Sequence, residues 1–273
     1  MSKGKIIGII AIILILLLGM AFGIVYYKVT HSEEVPAQLV DISGTVLVNG
    51  VLVNQTTPLK QTDAILVQSG SASVVLFESI IVVIPAPGEV VVSDLSAQHP
   101  KVTVNSGTTW NKFLHIVGIP AYSTQAGNTV ASVRGTGFLF SKSVVAVDDG
   151  VVAVNNGTTS VNLEAGDAAD INGTITTRPV SDAEKSFMAS AKSKTIAALQ
   201  KLRELEILKH PKIANYIKDK YQLADEQIAS ELESLDHKTA SDVDKLVAQS
   251  PVSIESVNKI AIWTKEIQNL TTQ

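Results

Sequence analysis

The sequence predicts a mainly β protein in three parts. These are a single membrane-spanning helix at the N-terminus, a β domain of sandwich or solenoid-like build, and a C-terminal α-helical bundle. Three observations predict it. Ile6–Tyr27 is a run of 22 residues without a charge. As a helix rising 1.5 Å per residue it would reach about 33 Å, enough for a hydrocarbon core of ~30 Å. Residues 38–178 are dense in Val, Ile, Thr, Gly and Asn, alternate with a period of two, and are punctuated by turn residues. From Pro179 onward the periodicity becomes helical. The expected organisation is a tail at 1–5, an anchor at 6–27, a linker at 28–37, a β domain at 38–178 and a helical domain at 181–273.

Lys3, Lys5 and the amino terminus precede the apolar run, and Glu33 and Glu34 follow soon after Lys28. Positive charge favours the cytoplasmic side, which places the N-terminus inside and the bulk of the chain outside the membrane. Ala21-Phe22-Gly23 offers a small-x-small cleavage site. The run nevertheless exceeds the ~7–15 apolar residues of a signal peptide, so a retained signal anchor is the expectation. A lipoprotein anchor needs a cysteine, and the chain has none.

In the β block, Thr45–Val53 is two apolar runs around Asn49-Gly50, a strong hairpin signal. Val144–Val154 repeats the device around Asp148-Asp149-Gly150, and Asn155-Asn156-Gly157 marks the next turn. Further strands are expected at 65–68, 73–77, 80–84, 89–93, 101–104, 114–117, 130–133, 138–141, 160–163 and 169–171. Short strands at this spacing indicate a stacked or closed all-β domain. In the helical block, Ser181-Asp182-Ala183-Glu184 is a capping box that opens a helix to Lys209, with a stripe of Leu199, Leu202, Leu205 and Leu208. His210-Pro211 breaks it. Shorter helices are expected at 212–221, 225–236 and 241–249. A last one runs from Ser253 to Leu270, with Val257, Ile260, Ile267 and Leu270 on one face.

Several segments in order resemble the FecR-like domain family. Ser43-Gly44-Thr45-Val46 looks like its opening strand and turn. Leu59 to Val74, through Asp63, Ile65, Ser69-Gly70 and Ser73, is similar to the family's "L-x-x-G-D-x-I-x-T-G-x-x-S". Asn105-Ser106-Gly107-Thr108-Thr109-Trp110 resembles "x-x-G-x-x-W". Ala131-Ser132-Val133-Arg134-Gly135-Thr136-Gly137-Phe138 resembles "A-x-V-R-G-T-x-F". Asp149-Gly150 through Val154, then Leu163 to Asp167, resemble the closing "x-G-x-V-x-V" and "L-x-x-G-E/D". Thr62 stands where the family prefers glycine, and Glu78-Ser79 replaces an Asp-Gly turn, so both turns are expected to be altered. The resemblance implies an extracytoplasmic β domain like that of ferric-citrate regulators. Those regulators engage a sigma factor through a cytoplasmic region for which Met1–Lys5 leaves no room, so the anti-sigma role is not expected here.

Residues 28–180 carry 7 basic and 12 acidic residues and residues 181–273 carry 13 and 14. Neither block is a basic nucleic-acid surface. His31, His99, His115, His210 and His237 show no ligand spacing, no cysteine is available, and no nucleophile or phosphate-loop pattern occurs. No metal, cofactor or catalytic residue is therefore expected. Candidate binding residues are Arg134, Trp110 and Asp149. Arg134 is expected to be buried in its strand and held by Asp148, Asp149 or Glu78, as a structural ion pair or a ligand-binding guanidinium. Trp110 reads as a core plug or a ligand platform. Asp148-Asp149-Gly150 reads as a hairpin turn, because adjacent carboxylates lack the alternating spacing of a calcium loop. Asn54, Asn156, Asn172 and Asn269 open N-x-S/T sequons that would carry sugar in a glycosylating host. Leu223–Leu232 reads as a bundle helix rather than the start of a helix-turn-helix.

The function expected is a membrane-anchored, extracytoplasmic, non-enzymatic binding or scaffolding module of the cell envelope. Its partners would be the bilayer, through residues 6–27, and an envelope protein or glycan, but not nucleic acid. The alternatives are a sensor component relaying a signal through a membrane partner and an enzyme acting on envelope polysaccharide.

Overall fold

The computed structural model describes residues 35–114, 118–209, 234, 236, 237, 243, 244 and 255–272. Two compact units emerge. One is Glu34–Leu202; the other takes its described residues from Arg203–Gln273. The expected tail and anchor and most of the linker lie outside the described residues, as do the helix expected at 212–221 and most of those expected at 225–236 and 241–249. Among the described residues no helix is long and apolar enough to cross a membrane.

The first unit is a sandwich of two nine-stranded sheets. Sheet A has the order β18-β17-β14-β13-β10-β7-β6-β1-β4 and sheet B the order β16-β15-β12-β11-β9-β8-β5-β2-β3. The strands of sheet A are β1 (Ala37–Ser43), β4 (Thr57–Pro58), β6 (Ser71–Leu76), β7 (Ile80–Pro85), β10 (Thr108–Phe113), β13 (Gly137–Ser141), β14 (Val144–Asp149), β17 (Asp167–Asn172) and β18 (Thr174–Pro179). Those of sheet B are β2 (Val46–Val48), β3 (Val51–Val53), β5 (Ala64–Val67), β8 (Gly88–Asp94), β9 (Lys101–Ser106), β11 (Tyr122–Ala126), β12 (Thr129–Val133), β15 (Val151–Asn155) and β16 (Ser160–Glu164). The chain lays down a strand or a hairpin in one sheet, crosses to the other, and repeats. The pairings are antiparallel except β9 with β11, which β10 separates in sequence.

Valine-rich period-two alternation gives most strands one largely apolar face, and the two sheets bury these against each other. Leu39, Val74, Val82, Phe138 and Val145 of sheet A and Ile65, Val90, Val102, Ala131 and Val152 of sheet B belong to this core. A polar relay runs through it. The Tyr122 hydroxyl donates to Asn111 Oδ1 at 2.8 Å, Asn111 Nδ2 donates to Thr109 Oγ1 at 3.0 Å, and the Thr109 hydroxyl donates to the Phe140 carbonyl at 3.2 Å. Burial pushes the Tyr122 hydroxyl pKa far above its usual value.

Both faces of β6 and β7 are buried, not only the core face. The second layer is the start of helix α1 (Asp182–Lys209). Its Met188, Ala191, Thr195, Ala198, Leu199 and Leu202 are buried at heptad-like spacing. Lys192 pairs with Asp148 of β14 at 2.9 Å. The capping box forms as the sequence predicts: Glu184 accepts from the Ser181 backbone N–H at 2.7 Å, and Ser181 Oγ accepts from the Glu184 N–H at 3.4 Å.

The expected leucine stripe does not stay on one face. Leu199 and Leu202 are buried, Leu205 is half-buried and Leu208 is 65% exposed. Steps of three advance ~300°, so nine residues place Leu208 about half a turn from Leu199. The inward positions beyond Leu202 are Arg203 and Glu206. In the second unit Arg203 grips Asp236 through two bonds, at 2.6 and 2.9 Å, and donates to Thr264 Oγ1 at 3.1 Å. Thr264 lies in α2 (Glu255–Thr272), which buries Trp263, Ile267 and Leu270 together with Lys259 and Gln268, while Val257 and Ile260 are only half-buried.

The Asn49-Gly50 hairpin forms between β2 and β3, with both turn residues left-handed at φ 52° and 81°. The hairpin expected over 144–154 does not. β14 pairs with β13 and β17 in sheet A, whereas β15 pairs with β12 and β16 in sheet B. Asp148-Asp149-Gly150 is a crossing between sheets, and an Asp-Gly signal marks a reversal without choosing between the two. The strand expected at 114–117 lies, but for residue 114, outside the described residues, and β10 ends just before it at Phe113. Strands β1, β4, β11 and β18 were not read from the sequence. Thr62 has a φ of +75°, in the left-handed region that favours glycine. Holding a β-branched residue there costs about 1–2 kcal/mol. Asp63 offsets this by accepting from the Lys60 N–H at 2.7 Å and Asn49 Nδ2 at 2.8 Å.

Candidate functional site

The motif residues converge where two crossings between the sheets meet. β12 leads through Arg134-Gly135-Thr136 into β13, and β14 leads through Gly150 into β15. A Cβ on Gly150 would lie 2.5 Å from Thr136 Cγ2 and 3.0 Å from the Gly135 carbonyl oxygen, so the two segments touch through backbone. Beside them Trp110 lies fully buried in β10, between Val83 of β7 and Leu139 of β13. It faces away from the sandwich core, alternating with Thr109 and Asn111, and its indole N–H makes no hydrogen bond. Lys112, on the same face, is 8% exposed and pairs with Asp149 Oδ2 at 3.1 Å. Gly137 sits under both groups. A Cβ there would be 2.4 Å from Asp149 Oδ1 and 3.0 Å from Trp110 Cζ2 and Cη2. Gly137 thus leaves room for an indole and a carboxylate, and Gly150 for the second strand crossing.

Arg134 is not part of this cluster. It is exposed on the bend between β12 and β13, and among the described residues no carboxylate pairs with it. The expected buried guanidinium with Asp148, Asp149 or Glu78 is therefore corrected. Asp148 pairs with Lys192, Asp149 pairs with Lys112, and Glu78 is buried in the turn between β6 and β7. The strand ends at Val133, and the crossing turns residue 134 outward. Of the three candidates the structure brings together Trp110 and Asp149, with Lys112 as the member that sequence reasoning missed. A lysine two residues after a motif tryptophan, on the same strand face, was the available signal.

A second cluster fastens α1. Arg178 of β18 donates to Asp170 of β17 through Nε and Nη2, both at 2.9 Å, and to Glu184 at 2.6 and 2.9 Å. These bonds raise the Arg178 pKa. The Arg178 hydrogen bonds, then the Ser181 backbone and hydroxyl donors, hold the Glu184 carboxyl down to about 2 from its usual 4.5. A carboxylate with a depressed folded pKa contributes stability that is present above the unfolded pKa and lost as pH falls through the folded one. Acid titration from pH 4.5 to 2 is therefore expected to remove about 1–2 kcal/mol through this group, after allowing for solvent screening at an Arg178 side chain that is 31% exposed. Urea unfolding of Glu184→Gln should show a shallower dependence on pH across that window than the parent chain.

Among the sequon residues Asn54, Asn172 and Asn269 are exposed. Asn156 is engaged: its Nδ2 donates to the Gly173 carbonyl at 3.1 Å, and its Oδ1 accepts from the Thr158 and Thr159 N–H groups at 3.1 and 2.8 Å. Of the histidines, His31, His115 and His210 lie outside the described residues. Among the described residues no three His, Cys, Asp or Glu side chains group as metal ligands.

The sheet edges differ in chemistry. Edge β4 is two residues long and ends in Pro58, and edge β18 is threonine-rich and ends in Pro179. Edge β16 exposes Ser160, Asn162 and Glu164. Each carries a device that discourages strand addition. Edge β3 is Val51-Leu52-Val53, with Val51 67% and Leu52 64% exposed. Leu52 aligns across the sheet with Leu47 and then Leu66, itself 36% exposed, in one outward row. Val51 aligns with Val48, a core residue, so it lies on the inward face beyond the rim of the opposing sheet. The edge is apolar on both faces.

No family model matches the chain. The curated proteins give no match either. Among solved structures, two crystal structures of a "putative anti-sigma factor" from Parabacteroides distasonis are similar, at 16% and 17% identity with TM-scores of 0.41 and 0.40. Each match covers 47% of this chain and 64% of that one, less than two thirds of the neighbour's length. Likeness of this degree leaves fold and function to be argued from the chain itself.

Proposed function

We propose that the chain is an envelope-anchored binding module of FecR-like type that acts by contact rather than by chemistry. Its Ile6–Tyr27 segment spans the membrane, and its β unit on the outer side receives an extended segment of a protein partner along edge β3. The observation that carries the reading is that edge. Among the described residues no strand pairs with the outer side of β3, and its backbone donors and acceptors, flanked by exposed Val51 and Leu52, suit strand addition, in which main-chain bonds give affinity and alternate side chains give specificity. The ordered motifs that resemble the FecR-like family support the same reading by building the scaffold that fixes the edge in place.

The test is photo-crosslinking in intact cells with a photoreactive side chain at position 52, against the same group at position 162 on edge β16. The expected result is one discrete adduct at 52, none at 162, and loss of the adduct when Val51→Lys is added. Equal adducts at both positions, none at either, or an adduct that survives Val51→Lys would overturn the proposal.

A further inference from the structure

Where α1 passes the crossings at Ser43 and Gly70, helix and sheet do not close on each other. A cleft of about 300 Å³ remains, at the small end of ligand sites. The sheet lines it with Ser43, Val83 and Pro85, and α1 with Phe187, Ser190 and Lys194. The Ser43 hydroxyl is engaged by Ser71: it accepts from the Ser71 N–H at 3.0 Å and lies 3.3 Å from the Ser71 carbonyl and 3.1 Å from the Ser71 hydroxyl. Lys194 is half-buried, and among the described residues it has neither an ion pair nor a hydrogen bond. The Asp41 carboxylate attracts it through space. Asp41 is held at a left-handed φ of 47°, and its own Oδ2 is buried without a partner. A half-buried ammonium that makes no direct hydrogen bond has given up solvation without replacing it. It becomes favourable once an anionic oxygen meets it in a charge-assisted bond.

We infer that this cleft is a binding site for a small organic carboxylate, whose carboxyl group meets Lys194 and the Ser190 hydroxyl while a short hydrocarbon body lies against Phe187, Val83 and Pro85. An inorganic anion would use only the polar groups, and a neutral hydrocarbon would leave the ammonium unsatisfied. The site lies at a different place in the β unit from edge β3 and does not depend on the reading given to that edge.

The probe is 3-methylbutanoate, titrated into the full chain in detergent and read by saturation-transfer NMR of the ligand methyl groups. Saturable binding is expected below about 20 mM. Lys194→Met should weaken it by about tenfold, and Lys194→Arg, which keeps the charge, by no more than about threefold. Ser190→Trp alters an exposed rim position and should block the cleft without a change in thermal midpoint, which keeps the test decisive if Lys194→Met folds poorly. Inorganic phosphate should compete weakly. The inference is overturned if no saturable signal appears, if the Ser190→Trp and Lys194→Met chains bind like the parent, or if phosphate displaces the probe at equal concentration.

Discussion

Gly70→Ala should destabilise the β unit by about 4–5 kcal/mol, at the extreme of single substitutions. Two effects add. Gly70 has φ +75°, and a side chain held in that region costs about 1–2 kcal/mol. The new Cβ would also lie 2.1 Å from the Ser43 carbonyl oxygen and 2.6 Å from its carbon. The obstacle is backbone, so it cannot turn aside as a side chain would. It is also tied down, because Thr45 N donates to the Ser69 carbonyl at 3.1 Å and Gln68 N to the Thr45 carbonyl at 2.9 Å. Relief requires parting the two crossings that pass here, β1 to β2 and β5 to β6. The contact is reciprocal, since a Cβ on Gly44 would lie 2.3 Å from the Ser69 carbonyl oxygen. Gly44→Ala should therefore cost a similar amount, and the double variant less than the sum by at least about 1 kcal/mol, because one separation serves both. Gly50→Ala is the control. Its φ is +81° but nothing lies within 4 Å of its Cβ, so only the backbone cost of about 1–2 kcal/mol remains. Urea unfolding of the full chain, followed through Trp110 fluorescence in a Trp263→Phe background, measures each. A Gly70→Ala chain within 1 kcal/mol of Gly50→Ala would contradict the account of the crossings.

These crossings also explain which parts of the fold are legible in the sequence. Apolar alternation reports burial on one face, so β5, β8, β12 and β15 are readable. It does not report which sheet a strand joins. Gly50 and Gly150 both sit between valine runs with φ near +80°, yet one closes a hairpin and the other carries the chain from one sheet to the other. The difference lies in what the glycine packs against, open space for Gly50 and Thr136 for Gly150, and no local pattern encodes that. β10 was missed because Thr109, Asn111 and Lys112 look solvated in sequence. Asn111 is instead satisfied by Tyr122 and Thr109 in the core, and Lys112 by Asp149 on the opposite face. Arg134 was misplaced for the converse reason: its neighbours Val133 and Thr136 are buried, but the bend between them turns the guanidinium out. The cleft at Lys194 was out of reach altogether, because it joins residues more than 140 positions apart.

Trp110→Ala is the second large effect, expected at about 3–5 kcal/mol, the usual range for emptying a buried tryptophan site. The indole is fully buried and packs over Gly137 beside Asp149, so truncation leaves a void that strand backbones cannot fill. The indole N–H makes no hydrogen bond, which separates its volume from its polarity. Trp110→Phe loses part of the volume and no bond, and should therefore cost only about 1–2 kcal/mol. Arg134→Ala, exposed and without an ion partner, should fall within about 0.5 kcal/mol of the parent chain. The three values together distinguish a structural tryptophan from a ligand platform. A platform is exposed before its ligand arrives, so its loss would weaken binding while leaving unfolding almost unchanged. Trp110 is fully buried, so its substitution should act through stability first. The surface group in the same motif is Arg134, which lies on a bend fixed by the contact of Gly135 and Thr136 with Gly150. Any direct role of the motif in recognition therefore falls to the guanidinium. Unfolding and partner crosslinking measured side by side on Trp110→Phe and Arg134→Ala should show opposite patterns, stability moving in the first and only binding, if either, in the second.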